Sequence, residues 1–317
     1  MLMRIDVGEL PMKDLAGKVA FITGGGSGVA LGQAKAFAAH GMKIVIADIR
    51  RDHLDSALAH FREKNQPVHG IQLDITDRKA YAAAADEAEK VFGPVQLLCN
   101  TAGVSQFGPV QQATYDDWDW QMSVNLGGMI NGIQTFVPRM LKHGKESHIV
   151  ITASMAGFLP LPGCAIYCTT KFAVRGLAEC LQLDLAPHGI GVSVLCPGAV
   201  NTNIHEAVLT RPKHLSNTGY YGADPTIMKS LKEVISPGYD PVELGEIVVR
   251  AVKANQLYVI PYAEFAGPMQ ERLDLALAVI PDPKDDPGMA AREAAMAKRR
   301  AERAAQAQAQ AAQAQKS

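Results

Sequence analysis

In the stretch ITASMAGFLPLPGCAIYCTTK, Ser154 is followed thirteen residues on by Tyr167 and four further by Lys171. A hydroxyl, a phenol and an ammonium can serve one substrate oxygen. The hydroxyl holds it, the phenol exchanges a proton with it, and the ammonium favours the phenolate. Tyr167 and Lys171 fall in a helical pattern, where positions i and i+4 share a face. The pair alone proves little. In a chain with eight tyrosines, a Y-x-x-x-K match arises by chance roughly one time in three. Ser154 closes an apolar run, HIVITA (148–153), and the loop containing LPLPG carries the chain from that strand end to the helix of Tyr167.

Other elements must position these groups. Short β-branched runs at 19–23, 43–48, 68–74, 95–100, 148–153, 191–196 and 256–261 alternate with helical patterns at 29–40, 52–64, 77–92, 115–143, 164–187 and 241–254. In the long helix, Trp118, Met122, Leu126, Met129, Ile133, Phe136 and Met140 recur three or four apart. Continuous apolar strands suit burial on both faces. The alternation predicts an α/β fold: a doubly wound, Rossmann-like, parallel seven-stranded sheet flanked by helices, with ligands at the carboxyl ends of its strands. The expected organisation is a leader (1–14), a catalytic domain (15–262) with a lid insertion (201–235), a C-terminal helix (263–283) and a mobile Ala/Gln tail (284–317). In the C-terminal helical extension, Phe265, Met269, Leu273, Ala276 and Ile280 mark an apolar stripe.

The first strand runs into ITGGGSGVALGQAKAF, which places Thr23, Gly24, Ser27, Gly28 and Val29 at a strand-to-helix turn. Such a turn lets backbone N–H groups approach a pyrophosphate at the positive end of a helix. The second strand ends at Asp48, with Ile49 behind it. A carboxylate there accepts from both ribose hydroxyls of an adenosine and repels a 2′-phosphate, which favours NAD over NADP. Arg50 and Arg51 follow and are able to neutralise a phosphate or simply face solvent. Asp74, with Ile75 next, ends the third strand, placed either for an adenine amino group or to cap the following helix. An oxidised nicotinamide ring would be a second cation beside Tyr167. Together with Lys171 it lowers the phenol by about 3 units from near ~10, or roughly 4 kcal/mol.

Composition narrows the alternatives. With 317 residues, 48% hydrophobic and 20% charged, at a formal net charge of -1, the chain has the profile of a soluble globular protein. Near-neutral charge supports neither nucleic-acid nor anionic-membrane binding. Apolar runs are strand-sized, so no transmembrane span is expected. The start, MLMRIDVGELPMKDLAGK, lacks the core of a secretory signal. Five cysteines without C-x-x-C read as reduced thiols of a cytoplasmic protein, and nine scattered histidines predict no metal site.

Taken in order, these motifs resemble those of the short-chain dehydrogenases/reductases over roughly residues 15–262. They are the T-G-x-x-x-G turn (Thr23, Gly24, Gly28), Asn100-Thr101-Ala102-Gly103 as a variant of N-N-A-G, Asn125 in SVNLGG, Ser154, Tyr167-x-x-x-Lys171, and Pro197-Gly198 followed by Val200 and Thr202. The resemblance implies a Ser-Tyr-Lys-Asn catalytic set. It gives Asn125 a water that extends a proton relay from Lys171, Lys171 a contact to the nicotinamide ribose, and Thr202 a place near the carboxamide. It implies dinucleotide contacts along Asn100, Ala102 and Gly103, and homodimers or homotetramers built on the 115–143 and 164–187 helices. Ala30 stands where the family usually has glycine, and Thr101 replaces the second asparagine.

The stretches TYDDWDWQMSVNLGGMINGIQTFVPRM and NQLYVIPY further resemble bacterial Cα-dehydrogenases that oxidise the benzylic alcohol of lignin-derived β-aryl ethers. Phe158, Leu159, His205 and Tyr220, beside Ser154, are the expected aromatic-substrate wall, the alternative being that the lid aromatics only pin the lid. The expectation is thus an NAD-dependent dehydrogenase of a bulky, aryl secondary alcohol. The alternatives are a reductase of a cyclic, terpenoid or steroid ketone, and a non-catalytic dinucleotide sensor.

Overall fold

The structure is a computed structural model and describes residues 12–215, 219–222, 233 and 235–314, so most of the leader and much of the second half of the lid lie outside the described residues. Seven strands, Val19–Thr23 (β1), Lys43–Asp48 (β2), Val68–Gln72 (β3), Val95–Asn100 (β4), Ser147–Thr152 (β5), Ile190–Leu195 (β6) and Tyr258–Val259 (β7), form one sheet in the order β3-β2-β1-β4-β5-β6-β7. Every pairing is parallel. Helices Gly28–Ala39 (α1), Arg51–Glu63 (α2), Arg78–Phe92 (α3), Tyr115–Met122 (α4), Gly128–His143 (α5), Ala165–Leu185 (α6) and Pro241–Lys253 (α7) make the crossovers. The chain runs outward from β1 in one direction and from β4 in the other. A crevice therefore opens between their carboxyl ends, where a doubly wound sheet takes its ligand.

Alternation along β1 explains its burial on both faces. Ala20 and Ile22 pack with Phe37, Ile44, Ile46, Phe61 and Val248 on one side. Phe21 points the other way, 4.8 Å from the Phe136 ring and 6.1 Å from that of Tyr81. On the first face α1 meets α7 with no side chain between. A Cβ on Gly32 would lie 1.9 Å from the Pro241 carbonyl oxygen, and one on Gly245 would lie 2.5 Å from that of Gly32.

Three expected elements differ. The 115–143 helix is interrupted by a π turn over Ser123–Gly127, closed by Gly128 N–H on the Ser123 carbonyl. A π turn inserts one residue into the helical phase. The residues buried ahead of it are accordingly Asp117, Trp120 and Gln121, each displaced from the expected Trp118–Met122 stripe, while Met129, Ile133, Phe136 and Met140 are buried as expected. The third strand stops at Gln72, because the Asp74 carboxylate folds back onto the N–H and hydroxyl of Thr76. The last strand shrinks from 256–261 to two residues. Upstream, Asn255 turns left-handed at φ 49° and the Gln256 N–H returns to Ala251, closing α7. Downstream, Pro261 has no N–H to donate.

The chain divides into two compact units, Met1–Ala266 and Gly267–Ser317. Beyond the sheet unit runs a helix over Ala266–Leu277 (α8), followed by a 3-10 turn over Pro283–Asp285 and a single helix over Met289–Ala314 (α9), where alanine's high helix propensity leads.

Candidate active site

At the carboxyl edge of the sheet lies a cleft of about 590 Å³. One half is built on the β1–α1 turn. Gly24 has φ +69°, and a Cβ there would sit 2.9 Å from the Ala102 Cα, so only glycine permits the two loops to meet. Beneath them Thr23 Oγ1 accepts from the N–H groups of Thr101 (2.9 Å) and Ala102 (3.1 Å), tying the end of β1 to that of β4. Asp48 spans the neighbouring turns. Its Oδ2 accepts from Gly26 N–H at 3.0 Å and its Oδ1 from Arg50 N–H at 2.9 Å. Burial raises this carboxyl above its ordinary value, and the two N–H donors oppose the rise.

Gly24, Ser27, Gly28, Val29, Asp48, Ile49, Asp74, Ile75, Ala102, Gly103, Pro197, Gly198, Val200 and Thr202 all line this cleft, as do Ser154, Tyr167 and Lys171. Three expected contact residues do not line it. Thr23 is spent beneath the turn. Asn100 is fully buried, donating to the Met129 carbonyl at 2.8 Å and so joining β4 to α5. Asn125, also fully buried, clamps the backbone of Val104: its Oδ1 accepts from the N–H at 2.8 Å and its Nδ2 donates to the carbonyl at 2.9 Å. A second bond from Nδ2 reaches Thr170 Oγ1 at 3.2 Å. Asp74 lines the cleft, and the helix cap beside it is Asp77, which accepts from Lys79 and Ala80 N–H.

The catalytic half rises from β5 and α6. Ser154 leaves β5, its Oγ accepts from Ala156 N–H at 3.1 Å and donates to the Pro197 carbonyl at 3.4 Å. The Lys171 ammonium donates to the Thr152 carbonyl at 3.1 Å and stands 5.6 Å from the centre of the Tyr167 ring. Phe107 meets that ring edge-on at 5.6 Å from the far side. Burial pushes the Tyr167 phenol up to about 12, with the neighbouring Ser154 hydroxyl opposing the rise, and pushes Lys171 down to about 8. The chain's own groups therefore raise the phenol; the expected lowering combines Lys171 with the cation of an oxidised nicotinamide ring. Desolvation outweighs a lysine held over the ring rather than at the phenolic oxygen.

The lid (201–235) packs on α4 through a buried ion pair. Arg211 Nη1 lies 2.7 Å from Asp117 Oδ1, both side chains at 0% exposure, and 2.6 Å from Gln106 Oε1. Asp117 also accepts from Thr114 N–H, the Thr114 hydroxyl and Tyr220 N–H. Arg211 further covers the Trp120 ring at 5.4 Å. Around that ring Val104, Val124, Ala207 and Leu215 form a small apolar cluster apart from the main core, and all five line the cleft together with Ser123, Asp119 and His214.

Phe158, Leu159, His205 and Tyr220, expected to wall the substrate, do not line this cleft, whereas Ser154 does. Phe158 stacks under Arg175 at 4.2 Å and against Tyr258 at 6.0 Å, outside the cleft. Tyr220 is buried, its ring so close to Gly108 that a Cβ there would fall 2.5 Å away. Pinning the lid, the blander of the two expectations, describes it. The side chain of Tyr221 lies outside the described residues. Trp120 falls two residues from both Trp118 and Met122 of the expected stripe, on a segment whose helical phase the π turn shifts. Gln33 on α1, fully buried and accepting from the Thr101 hydroxyl at 2.7 Å, also went unread. Thr101 bridges it to Thr152 at 2.9 Å, which is how the site accommodates threonine for asparagine.

A glycine turn leading into the N-terminus of α1, a carboxylate at the end of the second strand and a Ser-Tyr-Lys group share one cleft. These residues fit a nicotinamide dinucleotide with a carbonyl or carbinol beside it. Comparison with known proteins agrees: the model of the short chain dehydrogenase family matches residues 18–213, and the chain belongs to that family. It is an oxidoreductase acting on an alcohol group. It is 44% identical over 289 residues to C alpha-dehydrogenase of Sphingobium sp. (strain NBRC 103272 / SYK-6), covering 90% of this chain and 94% of that one. LigO in its apo form, from Sphingobium sp. strain SYK-6, superposes with a TM-score of 0.76 at 51% identity over 91% of this chain and 98% of that one. A short chain dehydrogenase/reductase from Burkholderia phymatum, in complex with NAD, gives a TM-score of 0.80 at 33% identity, over 86% and 99% of the two chains. No helix among the described residues is long and apolar enough to cross a membrane, and no cluster of possible metal ligands occurs among them.

Proposed function

We propose that the protein interconverts a bulky aryl (benzylic) secondary alcohol and its ketone with NAD, in the cleft bounded by the glycine turn, Ser154-Tyr167-Lys171 and the Trp120 bay. The observation that supports it is the adjoining of a proton-transfer group and an aromatic-lined apolar bay in one cleft. The name of the Sphingobium C alpha-dehydrogenase points the same way. Bound nicotinamide supplies the hydride acceptor for oxidation and the donor for reduction. Asp48 accepts from the adenosine ribose, and the glycine turn's N–H groups meet the pyrophosphate. Ser154 Oγ holds the substrate oxygen while the Tyr167 phenolic oxygen takes the alcohol proton, or returns it in reduction. Lys171, fixed by the Thr152 carbonyl, stabilises the phenolate. Asn125 acts as a positioning residue by holding Val104 at the wall of the bay. The aryl group stacks in the bay of Trp120, Val124 and Leu215, with Arg211 holding the lid over it.

Residues 15–262 form the catalytic domain in this reading, assembling as a homodimer or homotetramer through α4–α5 and α6. All five cysteines are free thiols, which supports a reducing, cytoplasmic setting. The test is a panel of aryl-propane diol monoaryl ethers, alicyclic, terpenoid and steroid alcohols, each assayed with NAD and with NADP. NADH formation from the aryl ethers is the expected result. Turnover confined to the alicyclic or steroid members transfers the substrate class to them, and none with any alcohol removes the enzyme reading.

A further inference from the structure

The arginine that follows Asp48 stands where a guanidinium receives a 2′-phosphate, yet its hydrogen-bonding edge is turned to carboxylates. Arg50 Nη1 lies 2.8 Å from Glu206 Oε2, a lid residue far along the chain. Its Nε and Nη2 meet the two oxygens of Asp52 at 3.1 and 2.5 Å. Glu206 also accepts from Asn203 Nδ2 at 3.4 Å, and His53 Nε2 stands 3.9 Å from both Glu206 and Asp52. Arg51, the other candidate for a phosphate, is paired with Asp55 at 3.0 Å. Asp48, Arg50, His53 and Glu206 line the same end of the cleft. Two carboxylates thus hold one guanidinium at the adenosine end, with a third, Asp48, on the same residue's backbone N–H. The hydrogen bond from Arg50 holds the Glu206 carboxyl below its ordinary value, so it is charged at neutral pH.

We propose that Glu206 is a specificity residue acting from the lid: by holding Arg50 across the cleft it denies the guanidinium to a 2′-phosphate and sets its own charge against one. Discrimination for NAD over NADP is then shared between Asp48 on the sheet and Glu206 on the lid. The proposal rests on reading the cleft as a dinucleotide site. As a stabilising contact the exposed pair is weak. Its effect on a dianion is not, since one like charge about 6 Å from a doubly charged phosphate changes affinity roughly tenfold even at the dielectric of water.

Calorimetric titration of NAD, NADP, ADP and adenosine 2′,5′-bisphosphate into the parent, Glu206→Gln and Glu206→Gln/Arg50→Ala proteins tests it without turnover. Glu206→Gln is expected to raise the affinity of the 2′-phosphorylated ligands relative to their unphosphorylated partners by about tenfold at low salt. Arg50→Ala restores the parent's net charge and removes the guanidinium that would donate to the phosphate, so the ratio should fall back to the parent's. An unchanged ratio in Glu206→Gln, or a gain that survives in the double variant, overturns the proposal. If NAD and ADP fail to bind the parent, the dinucleotide reading itself fails instead, which is a different result.

Discussion

Tyr167 and Lys171 are shifted in opposite directions by one cause. Withdrawal from water penalises whichever form is charged, so the phenol rises to about 12 and the ammonium falls to about 8. Around neutral pH the tyrosine holds its proton and the lysine is still mostly charged. In the proposed reaction Tyr167 is therefore an acid ready to protonate a carbonyl oxygen, and a base only when a further cation enters the cleft. Replacing Tyr167 by Phe removes that proton at almost no cost in volume. The expected outcome is a loss of about 10²–10⁴ in kcat, with NAD still binding by calorimetry. Turnover within tenfold of the parent would show that another group moves the proton.

Among the elements, the π turn and the lid anchor shape the bay. Without the inserted residue Trp118 would face inward, and Trp120 would leave the cleft. Asp117 then serves two elements, capping α4 through Thr114 and receiving Arg211 from the lid. Removing one partner of a buried ion pair strands the other charge, at about 3–5 kcal/mol. Arg211→Met is therefore expected to loosen the lid while the sheet stays intact. Limited proteolysis should cut within 201–235 faster than in the parent, with the far-ultraviolet circular dichroism unchanged. Cleavage at the parent's rate would mean that the ion pair does not hold the lid.

At the scale of the whole molecule, His148 links acid stability to sheet packing. It lies fully buried in β5, with Nε2 2.8 Å from Ser193 Oγ, whose hydroxyl donates to the Gln256 carbonyl at 2.7 Å. Nε2 must therefore carry the hydrogen, and Nδ1 has no partner among the described residues. A Cβ on Gly191 would fall 2.2 Å from that Nδ1, so no room is left for one. Burial pushes the imidazole down to about 3. The unfolded chain binds a proton below its ordinary pKa near 6.5 that the folded chain refuses. Stability is thus full above pH 6.5 and falls by about 1.4 kcal/mol per pH unit as pH drops from there toward 3. Urea unfolding of His148→Gln between pH 7 and 4 should show a slope shallower by one proton than the parent's. Equal slopes would place the acid sensitivity in other groups.

Much of this was legible in residue order. A strand run into a glycine turn, an acid ending the next strand, and Ser, Tyr and Lys at fixed spacing are local patterns, because each depends on the geometry of one turn or one helix face. They determined the α/β fold and brought the glycine turn, Asp48 and the Ser-Tyr-Lys group to one cleft. The lining of the bay was not legible, because it depends on helical phase and on a lid meeting a helix distant in sequence. One inserted residue turned Trp120 inward, and a buried charge pair brought Arg211 over it. Phe158 and Tyr220, aromatic and near the site in sequence, were drawn to Arg175 and to Gly108 instead. The pairing of Arg50 with Glu206 was equally invisible, since only the folded lid brings that carboxylate to the end of β2.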